Sequence, residues 1–149
     1  MEASQAFAET APSAQFQLTD EQRMLMEQTD RFAREQLHGF QERMDNEEWW
    51  PPEVFPMLGE AGFLGPTVSE EYGGADLDFF TATLAAQPIS RWNPAIGFSA
   101  GAHSNLCVNN IYRNGNDDQK RRYLPKLIAG EWVGAMGMTE PGAGSDAVR

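Results

Sequence analysis

The sequence predicts a mainly α-helical fold, an N-terminal helical bundle followed by the first strand of a second, β domain. Apolar residues recur at helical spacing from residue 25 to residue 44, N-cap signals precede later segments, and one apolar run near the C-terminus is too short for a helix. We expect a disordered tail at residues 1–15, the helical domain at residues 16–130 and the start of the β domain at residues 131–149.

The first helix is predicted to begin after Thr19 and to end near residues 45–48. Thr19 and Gln22 have the spacing of a capping box, in which each side chain accepts a hydrogen bond from the other residue's amide. The apolar positions that follow are Leu25, Phe32, Ala33, Leu37, Phe40 and Met44. Their spacing places them on one helical face, so this face should contact the core.

Two further helices are predicted before residue 93. Residues 53–61 form the first, and Pro56 should produce a 3₁₀ turn or a kink, because proline lacks the amide that a helix interior needs. Residues 66–78 have the composition of a loop. The next helix has Leu77, Phe80, Thr81, Leu84 and Ala85 on one face, and Pro88 should end or bend it.

A helix that starts at Asn93-Pro94 has an unusual composition. Its small residues are Ala95, Gly97, Ser99, Ala100, Gly101, Ala102 and Ser104. Glycine lowers helix propensity, so such a helix is typical of places where something approaches closely. Two explanations remain open, tight packing against another helix or one wall of a ligand pocket, and composition alone favours the packing.

The last helix is predicted to begin at Asp117, to be divided into two short pieces by Pro125 and to stop at Gly130. The apolar stretch "EWVGAMGM", residues 131–138, is too short for a helix and is predicted to be a strand.

Charge and composition exclude several functions. The chain has 22 acidic and 11 basic residues, a balance that disfavours nonspecific nucleic-acid binding. The single cysteine, Cys107, cannot form an internal disulfide, and its apolar surroundings favour a structural thiol over a nucleophile. The two histidines, His38 and His103, lie far apart, so no metal site is predicted.

Targeting signals are not predicted. No apolar run has the length of a membrane span, so we expect no membrane association. The acidic N-terminus resembles neither a secretory signal nor a transit peptide.

The C-terminal segment "MTEPGAGSDA", residues 138–147, has residues suited to holding an anion. Gly142–Ala147 fits the pattern G-x-G-x-x-A, but the helical chain before it does not provide the βαβ unit of a dinucleotide-binding fold. Successive amides around the glycines can still form an anion-binding nest, to which Thr139 and Ser145 would add hydroxyl donors. The two acidic side chains of the segment must then point away from the anion.

The same segment resembles the signature of the acyl-CoA dehydrogenases, FAD enzymes that desaturate acyl-CoA thioesters between Cα and Cβ. The stretches "GFLGPTVSEEYGGADLD" and "NGNDDQKRRYLPKLIAGEWVGAMGMTEPGAGSD" are also similar to that family, and "GAHSNLCVNNIYRNGN" is most similar to its isovaleryl-CoA branch, from leucine breakdown. The resemblance covers residues 16–149 and implies the first helical domain plus the first strand of the family's β domain, hence a fragment.

The resemblance also implies site residues. The FAD-contacting segment would consist of Met136, Gly137, Met138, Thr139, Glu140, Pro141, Gly142, Ala143, Gly144 and Ser145. Thr139 would bond the pyrimidine edge of the flavin, Gly144 and Ser145 would approach the pyrophosphate, and Ser145 would also touch the thioester. Phe98 and Ala102 would face the acyl chain, and Phe98 is bulkier than the residue that isovaleryl enzymes carry there.

In the implied reaction a carboxylate removes the α-proton while the β-hydrogen passes as hydride to FAD. The family's base is a Glu of the C-terminal domain, so no catalytic residue is expected in these 149 residues, and Glu140 would only be positional. The implied partners are acyl-CoA and electron-transferring flavoprotein, in a homotetramer. The implied location is the bacterial cytoplasm or the mitochondrial matrix.

Other hypotheses stay open. "LGPT" also resembles glutaryl-CoA dehydrogenase, and other short-chain acyl-CoA dehydrogenases, oxidases and flavin monooxygenases share the fold. A non-enzymatic alternative is a helical module that binds a partner and has lost its flavin domain.

Overall fold

The computed structural model describes residues 17–146, and the predicted tail at residues 1–15 lies outside this range. Its α-helices are α1 (Asp20–Phe32), α2 (Gln41–Glu47), α3 (Val54–Glu60), α4 (Phe79–Trp92), α5 (Pro94–Gly101), α6 (Asn109–Asn114) and α7 (Asp117–Ile128). π-helical segments at Ala33–Leu37 and Ala102–Val108, and 3₁₀ turns at His38–Phe40 and Glu70–Tyr72, connect or extend them. The predicted mainly helical fold is confirmed.

The first helical run begins and ends where the sequence predicts. The Thr19 hydroxyl accepts from the Gln22 amide at 3.2 Å, and the Gln22 side chain accepts from the Thr19 amide at 3.1 Å, which is the predicted capping box. The run ends at Glu47, and Glu48 takes a positive φ of 49°. Of the predicted apolar stripe, Ala33 and Leu37 are fully buried and the other members are half-buried.

The π and 3₁₀ turns within this run were not predicted. Asn93, distant in sequence, donates its side-chain amide to the Leu37 carbonyl at 3.1 Å. That carbonyl is therefore engaged outside the helix, and Gly39 just beyond it has low helix propensity. Both features favour a local departure from α geometry.

The three prolines within these helices do not end them. Pro56 lies in the first turn of α3, where an amide has no intrahelical partner, so no kink is needed. Helix α4 continues past Pro88 to Trp92, and Asn93 ends it. Helix α7 is continuous past Pro125, which is exposed, so water reaches the backbone carbonyl that the proline leaves unbonded.

Helices α4 and α5 pack closely at Gly97. A Cβ atom at this position would lie 2.6 Å from Ser90 Cα, a distance that real side chains do not show. A Cβ at Gly101, one turn later, would meet no atom within 4 Å. The small-residue helix therefore serves packing at Gly97 and leaves open space at Gly101.

Two hydrophobic clusters form the core. The larger joins the first π segment, α3, the loop after α3, α4 and α5 through Leu37, Val54, Leu58, Leu64, Ile89 and Ile96. The smaller joins α7 to the 3₁₀ turn and the second π segment through Val68, Tyr72, Val108, Leu124, Leu127 and Ile128. The C-terminal half of α7 is thus packed against the bundle, which fixes the end of this helix.

The strand predicted at residues 131–138 is not formed. Residues 133–139 have no regular secondary structure, and the one bridge near them joins Glu140 to Ala143. A strand exists only by pairing with a neighbour, and in the described part of the chain no neighbouring strand pairs with this stretch. In residues 17–146 no helix is both long and apolar enough to cross a membrane.

Candidate functional site

The candidate site begins at the sharp turn after α7. Gly130 has a φ of 74°, and a Cβ atom there would overlap the Phe55 carbonyl and lie 2.7 Å from Pro56 N. Only glycine fits both the conformation and the contact. The turn directs the chain from α7 back across the second π segment.

His103 connects this π segment to both sides of the turn. Its ring is fully buried, with Nε2 3.1 Å from the Leu127 carbonyl oxygen and Nδ1 2.9 Å from the Gly134 amide nitrogen. The ring edge contacts Phe55 at 5.3 Å between centroids. Burial lowers the pKa of His103, since the interior disfavours the charged imidazolium.

Cys107, four residues further on, packs on Gly134 from the same segment. A Cβ atom at Gly134 would overlap Cys107 Sγ and lie 2.8 Å from Cys107 Cβ. The thiol is half-buried, and desolvation raises its pKa. A raised pKa keeps the thiol protonated, which agrees with the predicted structural role and opposes a nucleophilic one.

Beyond Gly134 the chain is held more loosely. The Asn110 side-chain amide lies 3.7 Å from Met136 Sδ. The amide of Trp132 donates to the Lys126 carbonyl at 3.2 Å, and the Lys126 ammonium lies 4.7 Å from the centre of the Trp132 ring. These contacts end near the start of the predicted flavin-binding segment, which is otherwise largely exposed.

That segment contains a tight turn with open space around its glycines. Glu140 and Ala143 exchange backbone hydrogen bonds of 2.9 and 3.1 Å. Cβ atoms at Gly137, Gly142 and Gly144 would meet no atom within 4 Å, so the packing of the chain itself does not require glycine there. Such positions let a bound group approach the backbone closely. The hydroxyl-bearing residues of the segment, Thr139 and Ser145, are exposed.

The predicted acyl-contacting residues lie on α5 and at the start of the π segment that follows it. Phe98 is 79% exposed and Ala102 is half-buried one turn later, so the two share a face. A cavity of about 380 Å³ lies against a different part of α5, where Gly97 and Gly101 line it together with residues of α4. Phe98, Ala102 and Ser145 are not among the residues that line it.

Sequence reasoning missed His103, because the atoms that it bonds are backbone atoms 24 and 31 residues away. The only signal was a histidine among small residues. Within residues 17–146 no cluster of His, Cys, Asp and Glu side chains is placed to hold a metal ion.

Comparison with known proteins identifies the family. Residues 19–131 match the family model "Acyl-CoA dehydrogenase, N-terminal domain". The mitochondrial isovaleryl-CoA dehydrogenase of Bos taurus is 47% identical over 133 residues, which is 88% of this chain and 31% of that protein. The chain spans about a third of the length of the curated relatives that it matches.

Solved structures support the same family assignment. The acyl-CoA dehydrogenase of Bacillus anthracis complexed with FAD superposes with a TM-score of 0.79 at 35% identity, over 88% of this chain and 22% of that one. The glutaryl-CoA complex of a glutaryl-coenzyme A dehydrogenase superposes with a TM-score of 0.81 at 33% identity, over 89% and 34%. This chain therefore belongs to the acyl-CoA dehydrogenase family and carries its N-terminal domain at residues 19–131.

Proposed function

We propose that this chain supplies the N-terminal helical part of an FAD-dependent acyl-CoA dehydrogenase that acts on a short branched acyl-CoA, isovaleryl-CoA. The observation that carries the proposal is the exposed, glycine-rich segment at residues 136–145, which leaves the helices at a fixed corner in a chain of this family. The similarity to isovaleryl-CoA dehydrogenases supports the acyl group.

The residues of the segment fit FAD. The open space at Gly142 and Gly144 allows a pyrophosphate to approach the backbone amides, and the exposed Ser145 hydroxyl adds a donor. Thr139 is proposed to bond the pyrimidine edge, where a donor stabilises negative charge. Bound FAD supplies the acceptor for the β-hydrogen of the substrate.

The acyl chain is proposed to lie against Phe98 and Ala102, with Ser145 near the thioester. An apolar wall of this kind excludes water and selects acyl groups by size. Proton abstraction from Cα requires a carboxylate, and we assign it to a residue outside these 149. Glu140 lies exposed on the turn of the flavin-binding segment, where its proposed role is positional.

The remaining proposals follow from the family. Electrons would pass to electron-transferring flavoprotein, and the complete protein would be a homotetramer. It would act in the cytoplasm of a bacterium or in the mitochondrial matrix of a eukaryote.

A chimaeric enzyme tests the function. Residues 17–146 replace the matching segment of the bovine isovaleryl-CoA dehydrogenase, and the chimaera is assayed with isovaleryl-, butyryl- and glutaryl-CoA. We expect it to purify with FAD and to prefer isovaleryl-CoA. A colourless protein would contradict the FAD assignment, and a preference for glutaryl-CoA would contradict the acyl assignment.

A substitution in the chimaera separates the role of Phe98 from general effects. Phe98→Leu should raise the preference for isovaleryl-CoA over butyryl-CoA about tenfold, since isovaleryl has one more methyl group and a smaller wall admits it. Phe80→Leu, the same change at an exposed position of α4 that does not line the cavity, is the control and should leave the ratio unchanged.

A further inference from the structure

The proposed function does not use His103, although its ring is fully buried and both of its nitrogens have partners. The ring lies between α3, through its edge contact with Phe55, and the turn that follows α7. A buried polar side chain in this position is costly unless its hydrogen bonds are satisfied, so its partners define its chemical form.

Those partners fix one tautomer. The Gly134 amide can only donate, so Nδ1 must accept and carry no proton. The Leu127 carbonyl can only accept, so Nε2 must carry the proton. The imidazole is therefore neutral and protonated on Nε2, and the lowering of its pKa by burial agrees with this form.

The two bonds span the corner of the chain. Leu127 belongs to the last turn of α7, Gly130 makes the reversal, and Gly134 lies on the outgoing side. One rigid ring joins the incoming carbonyl to the outgoing amide, and Cys107 packs on Gly134 from the next turn of the same segment. The ring thus connects the two sides of the turn that Gly130 makes.

We propose that His103 is a positioning residue for the flavin-binding segment: its neutral, Nε2-protonated ring holds Gly134 in register with Leu127 and so fixes where residues 136–145 leave the helices. The part of this proposal that concerns FAD binding rests on the proposed function. The bridging geometry itself does not depend on that function.

Two substitutions separate the two bonds. In His103→Asn the side-chain oxygen takes the place of Nδ1 and keeps an acceptor for Gly134. In His103→Gln the side-chain nitrogen takes the place of Nε2 and keeps a donor for Leu127 but no acceptor for Gly134. His38→Gln, at the exposed second histidine, is the matched control.

Amide hydrogen exchange at Gly134 is measured on each variant of the 149-residue chain, and FAD binding, followed by flavin fluorescence, is measured on the same variants of the chimaera. We expect exchange at Gly134 to become about tenfold faster in His103→Gln and to change little in His103→Asn and His38→Gln. The dissociation constant for FAD should likewise rise in His103→Gln and change little in His103→Asn and His38→Gln. A purely space-filling role predicts equal effects in both His103 variants, and that result would overturn the proposal.

The wild-type chain provides a test that does not depend on the folding of any variant. In a ¹⁵N-labelled sample, a coupling across the Gly134 N–H to His103 Nδ1 hydrogen bond and an Nε2-protonated ring are expected in the NMR spectrum. A ring protonated on Nδ1 would refute the bridge. If the chimaera binds no FAD while the bridge is present in the wild-type chain, the proposed function fails and the positioning geometry stands.

Discussion

At the residue scale, Asn93 performs two tasks at the junction of α4 and α5. It is almost fully buried, its side-chain oxygen accepts from the Ile96 amide at 3.1 Å, and its side-chain nitrogen donates to the Leu37 carbonyl at 3.1 Å. The first bond caps α5, and the second satisfies a carbonyl of the first helical run. One side chain therefore joins three helical segments.

Asn93→Ala should lower the free energy of unfolding by about 2–4 kcal/mol, because it removes a cap and leaves a buried carbonyl without a partner. Asn116→Ala removes the cap of α7 at an exposed position and should cost only about 1 kcal/mol. Urea unfolding followed by circular dichroism measures both. Equal losses would show that the bond to Leu37 contributes nothing.

The same residues show what sequence can predict at this scale. The caps at Thr19, Asn93 and Asn116 depend on atoms within three residues, so a local pattern identifies them. The second bond of Asn93 and both bonds of His103 reach backbone atoms far along the chain, and no local pattern contains them. The bonds of His103 were therefore not predictable from a local pattern, whereas the glycine-rich segment was proposed from resemblance.

At the element scale, the contact between α4 and α5 depends on Gly97. Gly97→Ala should lower the free energy of unfolding by about 1–3 kcal/mol, since the new methyl group would overlap Ser90 and force the helices apart.

Gly101→Ala is the matched control on the same helix. Its methyl group would enter open space, and the gain in helix propensity should raise the free energy of unfolding by about 0.5–1 kcal/mol. Opposite signs for the two variants, measured by thermal or urea unfolding, are expected. A loss at both positions would mean that the cavity beside Gly101 does not tolerate side-chain volume.

The elements that sequence misjudged share a cause. For prolines and short apolar runs, local rules predict a helix end or bend at Pro88, a division at Pro125 and a strand at residues 131–138. Tertiary packing carries α4 and α7 through their prolines, since both bury apolar residues on either side of them. The strand depends on a partner, and pairing is not a property of the strand's own residues.

At the scale of the whole molecule, the proposed function gives the helices one wall and one corner of a site whose base we assign to a residue outside these 149. We expect the 149-residue chain alone to show no desaturation of isovaleryl-CoA with FAD and an artificial electron acceptor, because no residue in it is assigned as the base. The chimaera described above serves as the positive control. Turnover by the isolated chain above the rate of free FAD would contradict the assignment of the base.

The chain reversal at Gly130 has a consequence for which residues around it can be substituted. Gly130 lies against the Phe55 carbonyl, and His103 bonds the Leu127 carbonyl and the Gly134 amide. All three of these partner groups are main-chain groups. Every amino acid offers the same carbonyl, so Leu127 can be exchanged for another apolar residue without loss of the hydrogen bond, whereas Phe55 also packs its ring on His103. We therefore expect substitutions to be tolerated least at Gly130, Gly134 and His103, and a library randomised at these positions should recover few alternatives.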